Sequence, residues 1–216
     1  FRPRNFKHMK GLLLAAGLGT RFMPYTQTIP KPAIPLLNVP IAYYNLHLMQ
    51  QMGLDQLTVN THHLPGKIKS LFSDKELMDV PVHFSDETAQ ILGTGGAILK
   101  ARKHLAGTGT FIMANADVVN GFSVKDALTF HHKKYPMATM IVMKHPEAGK
   151  KYGAVWVNPK TKEVISIGKE KPKDVAANPM HFVGVHFIEE SVFKYIPKED
   201  IKGLIEFKNN YPVYSF

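Results

Sequence analysis

Residues Lys10–Pro35 read KGLLLAAGLGTRFMPYTQTIPKPAIP. The apolar run Leu12–Ala16 is short enough to be one buried strand. It breaks at Gly17 and Gly19 and then presents Thr20 and Arg21; ten residues after Arg21 stands Lys31, between Pro30 and Pro32. A buried strand that ends in a glycine turn with cations nearby suits an approach to phosphates. Without a side chain, glycine lets backbone N–H groups come close to an anion, and Arg21 and Lys31 can supply compensating charge. Two common phosphate motifs do not fit. The P-loop, G-x-x-x-x-G-K-[ST], fails because Gly17 and Gly19 are too close together and no Lys-Ser/Thr follows. The dinucleotide fingerprint G-x-G-x-x-G would put Phe22 at its third glycine. Taken alone, Gly-x-Gly after a strand is equally an ordinary strand-to-helix turn.

Outward from this stretch, strand and helix patterns alternate. Ile41–Met52 reads as a helix with Ile41, Tyr44, Leu48 and Met52 on one face, stopped by Gly53. Leu57–Asn60 is a strand, Pro65–Phe72 a short helix with Ile68, Leu71 and Phe72 inward, and Val80–Ser85 a strand. Gly95–Ala106 is a helix, apolar at Ala97, Ile98 and Leu105; Thr110–Asn115 is a buried strand, Val124–Tyr135 a helix and Ala138–Lys144 a strand. Such alternation predicts an α/β fold: a doubly wound, mainly parallel sheet flanked by helices. After Lys144 the pattern changes. Gly153–Val157 and Val164–Ile167 form a hairpin, His181–Ile188 is a strand, Ser191–Ile196 a short helix, and Val213–Phe216 opens a last strand. One domain is expected over residues 9–216, with Phe1–His8 set aside as a lead or tag remnant before Met9.

The 216 residues carry a net charge of +10, which favours anionic partners. No basic run or nucleic-acid motif accompanies that charge, so phosphorylated small molecules are the expected partners rather than nucleic acid. No apolar run approaches the roughly 18 residues of a membrane span, and no signal-peptide pattern is present, so the expected site is cytoplasmic. Cysteine is absent, which removes thiolate chemistry. The eleven histidines include the adjacent pairs His62–His63 and His131–His132, but no H-E-x-x-H occurs, and no G-x-S-x-G marks a serine hydrolase.

Ligands of open α/β sheets lie beyond the carboxyl ends of the strands. The glycine loop after Leu14 is at such an end, and so is Asp117, just past Thr110–Asn115. A carboxylate there can hold Mg²⁺, which takes one or two carboxylates plus phosphate oxygens; an Asp after a strand is equally a turn or cap residue. Leu92–Ala97, LGTGGA, reads as a helix entry, and Glu170–Lys171–Pro172 as a charged surface segment.

The string from Leu14 to Pro32 resembles the signature of the sugar-1-phosphate nucleotidyltransferases, L-A-A-G-x-G-T-R-[LFM]-x-P-x-T-x-x-x-P-K-P, with every fixed position filled. The resemblance implies transfer of a nucleoside monophosphate from UTP or GTP to a sugar 1-phosphate, with pyrophosphate released and Mg²⁺ as cofactor. It implies a nucleotide-binding half, 9–144, and a sugar-binding half, 145–216. Arg21, Lys31 and Asp117 would be catalytic, with Asp117 also the metal ligand. Leu14, Ala15, Ala16, Gly17, Gly19 and Thr20 would cradle the nucleotide, with Glu87 and Gly93 beside the base. Gly153, Glu170, Lys171 and Gly184 would meet the sugar phosphate. The chain also resembles single-domain members that make UDP-N-acetylmuramate or GDP-mannose, precursors of cell wall or glycans. The Asn60–Pro65 string NTHHLP is similar to that subgroup. Two departures stand out. Ala116 replaces the glycine of the family's V-N-G-D-V, which is harmless only if its φ is negative. The family's second metal aspartate would follow the last strand, where the sequence reaches Phe216, and Lys202–Asn210 is shorter than expected. These departures leave a catalytically silent nucleotide-sugar sensor or regulatory subunit on the same fold as the alternative reading.

Overall fold

The computed structural model describes residues 9–74, 77–173 and 175–196, and the backbone of 213–215. The expectations for Phe1–His8, Lys202–Asn210 and Phe216 lie outside the described residues. In chain order the elements are β1 (Met9–Leu14), the two-residue strands β2 (Pro35–Leu36) and β3 (Val39–Pro40), α1 (Ile41–Gln50), β4 (Leu54–Thr61), α2 (Pro65–Leu71), β5 (Val82–Asp86), α3 (Gly93–Lys100), α4 (Arg102–Leu105), β6 (Thr110–Asn115), α5 (Val124–Lys134), β7 (Ala138–Met143), β8 (Ala154–Val157), β9 (Val164–Gly168), β10 (Asn178–Glu189) and β11 (Val213–Ser215). The helix expected over Gly95–Ala106 starts earlier, at Gly93, and is divided at Ala101 into α3 and α4. The short helix expected over Ser191–Ile196 is a 3₁₀ turn, Glu190–Lys194.

The main sheet runs β11-β7-β10-β6-β1-β4-β5, with β8 and β9 attached through β10. β1 is parallel to β4 and β6, and β4 to β5, as the alternation predicts. β10 lies antiparallel between β6 and β7. β7 therefore keeps the common direction but does not touch β6. β10 can make this insertion because it is twelve residues long: its start pairs with β8 and its end fills the space between β6 and β7.

β1 is buried on both faces, which is why it reads as an unbroken apolar run. Leu13 packs with Leu46, Met49 and Ile68 on one side, and Leu12 with Ile98, Leu105 and Phe111 on the other. The inward face of α1 differs from the expected Ile41–Tyr44–Leu48–Met52 stripe. Ala42, Asn45, Leu46, Leu48 and Met49 are buried, as is Met52 just past the helix, while Ile41 and Tyr44 are only half-buried and the Tyr44 hydroxyl donates to the Leu36 carbonyl. Asn45 is inside because its amide has partners there, donating to the Asn115 carbonyl at 2.5 Å and accepting from Asn120 at 3.0 Å. On β10, His186 is buried beside Phe182, and burial pushes its ring pKa down to about 3.

Candidate active site

The parallel register brings the ends of three strands to one level. Leu14 lies opposite Asn60 of β4 and Asn115 of β6. Beyond this edge opens a cleft of about 480 Å³. Leu14, Ala15, Ala16, Gly17, Gly19 and Thr20 form one wall. Arg21, Lys31, Glu87, Gly93 and Asp117 also line it, as do Asn60 and Asn115.

The glycine loop has a defined shape. Gly19 turns the chain through a left-handed conformation at φ 65°, and a Cβ there would lie 2.8 Å from Thr26 Cγ2. Thr26 is fully buried and donates its hydroxyl to the Gly19 carbonyl at 3.0 Å. The far side of the loop is held from α2 and its approach. His63 Nε2 donates to the Thr26 carbonyl at 2.6 Å, and the Lys67 ammonium donates to the Thr28 carbonyl. Arg21 sits in the short 3₁₀ turn Thr20–Phe22 with its side chain exposed at the cleft.

Lys31 and Asp117, 86 residues apart, meet as an ion pair at 2.5 Å, with side-chain exposures of 18% and 33%. The Lys31 ammonium also lies 5.1 Å from the Phe22 ring centre, within cation–π range. Asp117 thus already holds a cation against its carboxylate. Ala116 is fully buried and does not lie in the left-handed region, so replacement of the family's glycine introduces no strain here. Among the described residues no three His, Cys, Asp or Glu side chains converge as a metal cage.

A second polar network joins the loops on the β4–β5 side. Asn60, 4% exposed, accepts from the Ala15 N–H at 2.6 Å and donates to Glu87 Oε1 at 2.9 Å. Glu87, 1% exposed, also accepts from the Leu92 N–H at 3.1 Å. His62 Nδ1 donates to the Glu87 carbonyl at 2.7 Å. Those acceptors are carbonyls, so His62 carries its proton at Nδ1 and His63 at Nε2. Asn60, Thr26, His62 and His63 were not singled out as site residues. The rule that ligands lie at strand ends could have found Asn60; the NTHHLP string named the histidines without giving them contacts.

The sugar-side candidates are more scattered. Gly184 is beside the cleft: it has φ 82°, sits where the β10 register shifts, and packs against Asn115, whose side chain a Cβ would approach to 3.0 Å. Gly153 lies against the Gly168 backbone at the mouth of the β8–β9 hairpin. Glu170 and Lys171 follow β9, are exposed, and do not line the cleft.

The profile of a family described as Nucleotidyl transferase matches residues 10–211. A UTP–glucose-1-phosphate uridylyltransferase of Synechocystis is 32% identical over 199 residues, 88% of this chain and 51% of that protein. Mannose-1-phosphate guanylyltransferase 1 of Arabidopsis thaliana is 31% identical over 191 residues, 87% and 52% of the two chains. The chain therefore spans about half the length of the curated relatives it matches. Among solved structures, a UDP-glucose pyrophosphorylase from Acinetobacter superposes with a TM-score of 0.81 at 18% identity, covering 96% of this chain and 85% of that one. HddC from Yersinia pseudotuberculosis, complexed with GMP-PN, superposes with a TM-score of 0.77 at 20% identity over 96% and 89%. At those identities the superpositions establish the fold, a mostly parallel mixed sheet flanked by helices.

Proposed function

This chain belongs to the Nucleotidyl transferase family, and from that premise we propose that it transfers a nucleoside monophosphate from an NTP to a sugar 1-phosphate. The observation that carries the reading is the convergence of the glycine loop, Arg21 and the Lys31–Asp117 pair on one cleft. In the proposed reaction a phosphate oxygen of the sugar 1-phosphate forms a bond to the α-phosphorus of the NTP. The bond from that phosphorus to the α–β bridging oxygen breaks, and its electron pair leaves with pyrophosphate. The attacking phosphate is already ionised, so alignment and charge neutralisation, rather than a general base, lower the barrier.

In this reading the backbone of 14–20 receives the nucleotide. Arg21 faces the β- and γ-phosphates and the charge that builds up on leaving pyrophosphate. Lys31 serves the α-phosphate region. Asp117 would hold a divalent ion, and Mg²⁺ fits a lone carboxylate whose other ligands are phosphate oxygens and water. When bound, that ion would supply further neutralisation of the triphosphate. Glu170 and Lys171 would serve the sugar and its phosphate, with Gly153 and Gly184 as close-approach points on the same side. Residues 9–144 are read as the nucleotide half of one domain and 145–216 as the sugar half. The relatives' names point to UTP or GTP as donor. Synthesis of UDP-N-acetylmuramate or GDP-mannose in the cytoplasm, as a wall or glycan precursor, is the specific form proposed.

The test is pyrophosphate release with a panel of NTPs and sugar 1-phosphates, with and without Mg²⁺. Arg21→Ala should lower turnover by roughly 10²-fold or more, as loss of a donor to developing charge does, with an unchanged melting temperature. No release with any pair, or full turnover in the variant, would sink the assignment.

A further inference from the structure

Asn60 is a buried side chain whose two ends are both used. Its oxygen must face the Ala15 N–H, which can only donate, so its amide nitrogen faces Glu87. Ala15 is the first residue of the glycine loop after β1. Glu87 in turn holds the N–H of Leu92, the residue that caps α3 and precedes the Gly93 turn, where φ is 66°. The chain of contacts is Ala15 N–H to Asn60, Asn60 to Glu87, and Leu92 N–H to Glu87. It spans the cleft floor from one loop to the other through two side chains that are 4% and 1% exposed. Asn60 joins the two segments that line the cleft, the loop after β1 and the loop after β5, and each of its partners is the residue at which such a segment begins. Each Glu87 oxygen already accepts a protein hydrogen bond, so the carboxylate serves as the far anchor of this link.

We infer that Asn60 is a positioning residue that sets the distance between the phosphate loop and the Gly93 turn, acting through Glu87, and that nucleobase selection depends on this link. The inference rests on the nucleotide-binding reading above. It gives Glu87 a role through Leu92 in place of direct contact with the base.

The polarity of the bond allows a decisive test. Asn60→Asp keeps an acceptor for Ala15 N–H but sets a carboxylate against Glu87, and it has a hydrogen to donate there only if the pair takes up a proton. Glu87→Gln alone leaves one donor facing another, at Asn60 or at Leu92. The double variant N60D/E87Q reverses the bond: the Gln amide donates to the Asp carboxylate, and its oxygen still accepts from Leu92 N–H. Dissociation constants for UTP, GTP, ATP and dTTP with Mg²⁺, measured by calorimetry from about pH 7 to about pH 9.5 so that any proton shared by the two carboxylates of N60D is removed at the upper end, should there show the preferred nucleotide weakened about ten- to a hundredfold in each single variant. The ratio between the preferred nucleotide and the next should fall towards one. In the double variant both quantities should return to within about threefold of wild type, since directly bonded residues couple in a double-mutant cycle. Amide exchange without ligand gives an independent readout: Leu92 N–H should exchange about tenfold faster or more in N60D and regain protection in the double variant. A double variant no better than the worse single one overturns the inference. So does a uniform weakening of every nucleotide with the selectivity ratio unmoved, which is what a core role predicts. A reversal of base preference in E87Q with none in N60D would mean that Glu87 reads the base itself, and also overturns it. If wild type binds no nucleotide, the functional reading fails while the exchange measurement still decides whether the link exists.

Discussion

Gly17 and Gly19 stand two residues apart in the same loop, yet a methyl group added to each should act in opposite ways. At Gly17 a Cβ would meet no protein atom within 4 Å, and the backbone is not left-handed. Alanine there removes freedom from the unfolded chain and should stabilise by about 0.4–1 kcal/mol, raising Tm by roughly 1–4 °C for a chain of this size. The open space that the methyl enters is the cleft that Gly17 lines. It would hold phosphates away from the amides, and a displacement of about 1 Å can cost on the order of 10²-fold in rate. At Gly19 the left-handed φ of 65° alone costs an alanine about 1–2 kcal/mol. The methyl would also lie 2.8 Å from Thr26 Cγ2, on a fully buried side chain that cannot retreat without losing its bond to the Gly19 carbonyl. Overpacking adds about 1 kcal/mol or more, so Gly19→Ala should destabilise by about 2–3 kcal/mol and lower Tm by roughly 4–12 °C. Scanning calorimetry without ligand and pyrophosphate release with saturating Mg²⁺–NTP measure the two effects separately. Wild-type turnover in Gly17→Ala would show that no ligand approaches that amide. Wild-type stability in Gly19→Ala would show that the loop does not turn at Gly19 as described.

Two further outcomes follow from side chains outside this loop. Lys31→Met removes the cation that sits 2.5 Å from Asp117, so Mn²⁺ alone should bind about tenfold more tightly than to wild type, as expected when a competing charge-assisted contact is lost; equal affinities by titration of free Mn²⁺ signal would show that lysine and metal do not compete. The His186 ring is neutral in the fold because burial holds its pKa near 3, whereas the unfolded chain takes up that proton near pH 6.5. The stability it confers is present above about pH 6.5 and lost as the pH falls towards 3; between about pH 7.5 and 5 the loss is about 2 kcal/mol. Urea unfolding should show that drop in wild type and a flatter profile in His186→Met, and parallel profiles would refute the assignment.

How much of this could be read beforehand depends on the kind of contact. The shape of the glycine loop was legible because its demands are local: an apolar strand, glycine at the turn, cations a few residues on. The parallel strands β1, β4 and β6 were legible for the same reason, since their burial shows in each segment by itself. The place of β10 was not. Its apolar pattern says that both faces are covered, but strand neighbours are chosen by tertiary pairing, and an antiparallel return between β6 and β7 leaves no mark in either strand. Asn45 on α1 misled the periodicity because a polar residue counts as outward unless its partners are known, and these are 70 and 75 residues away.

The curated relatives named above differ in the base they carry, uridylyl or guanylyl, while matching this chain at nearly the same identity. Overall similarity of that kind cannot choose between bases. Under the link inferred above, the choice falls to the β4–β5 side of the cleft, where Asn60 is held from Ala15, 45 residues away, and from Glu87, 27 residues away. Alone, each of these looks like a strand-end turn residue or a surface acid; together they are a buried bonded pair that no spacing rule connects. Exchanging the polarity of that pair therefore probes selectivity more directly than altering the signature loop, whose geometry every donor nucleotide must share.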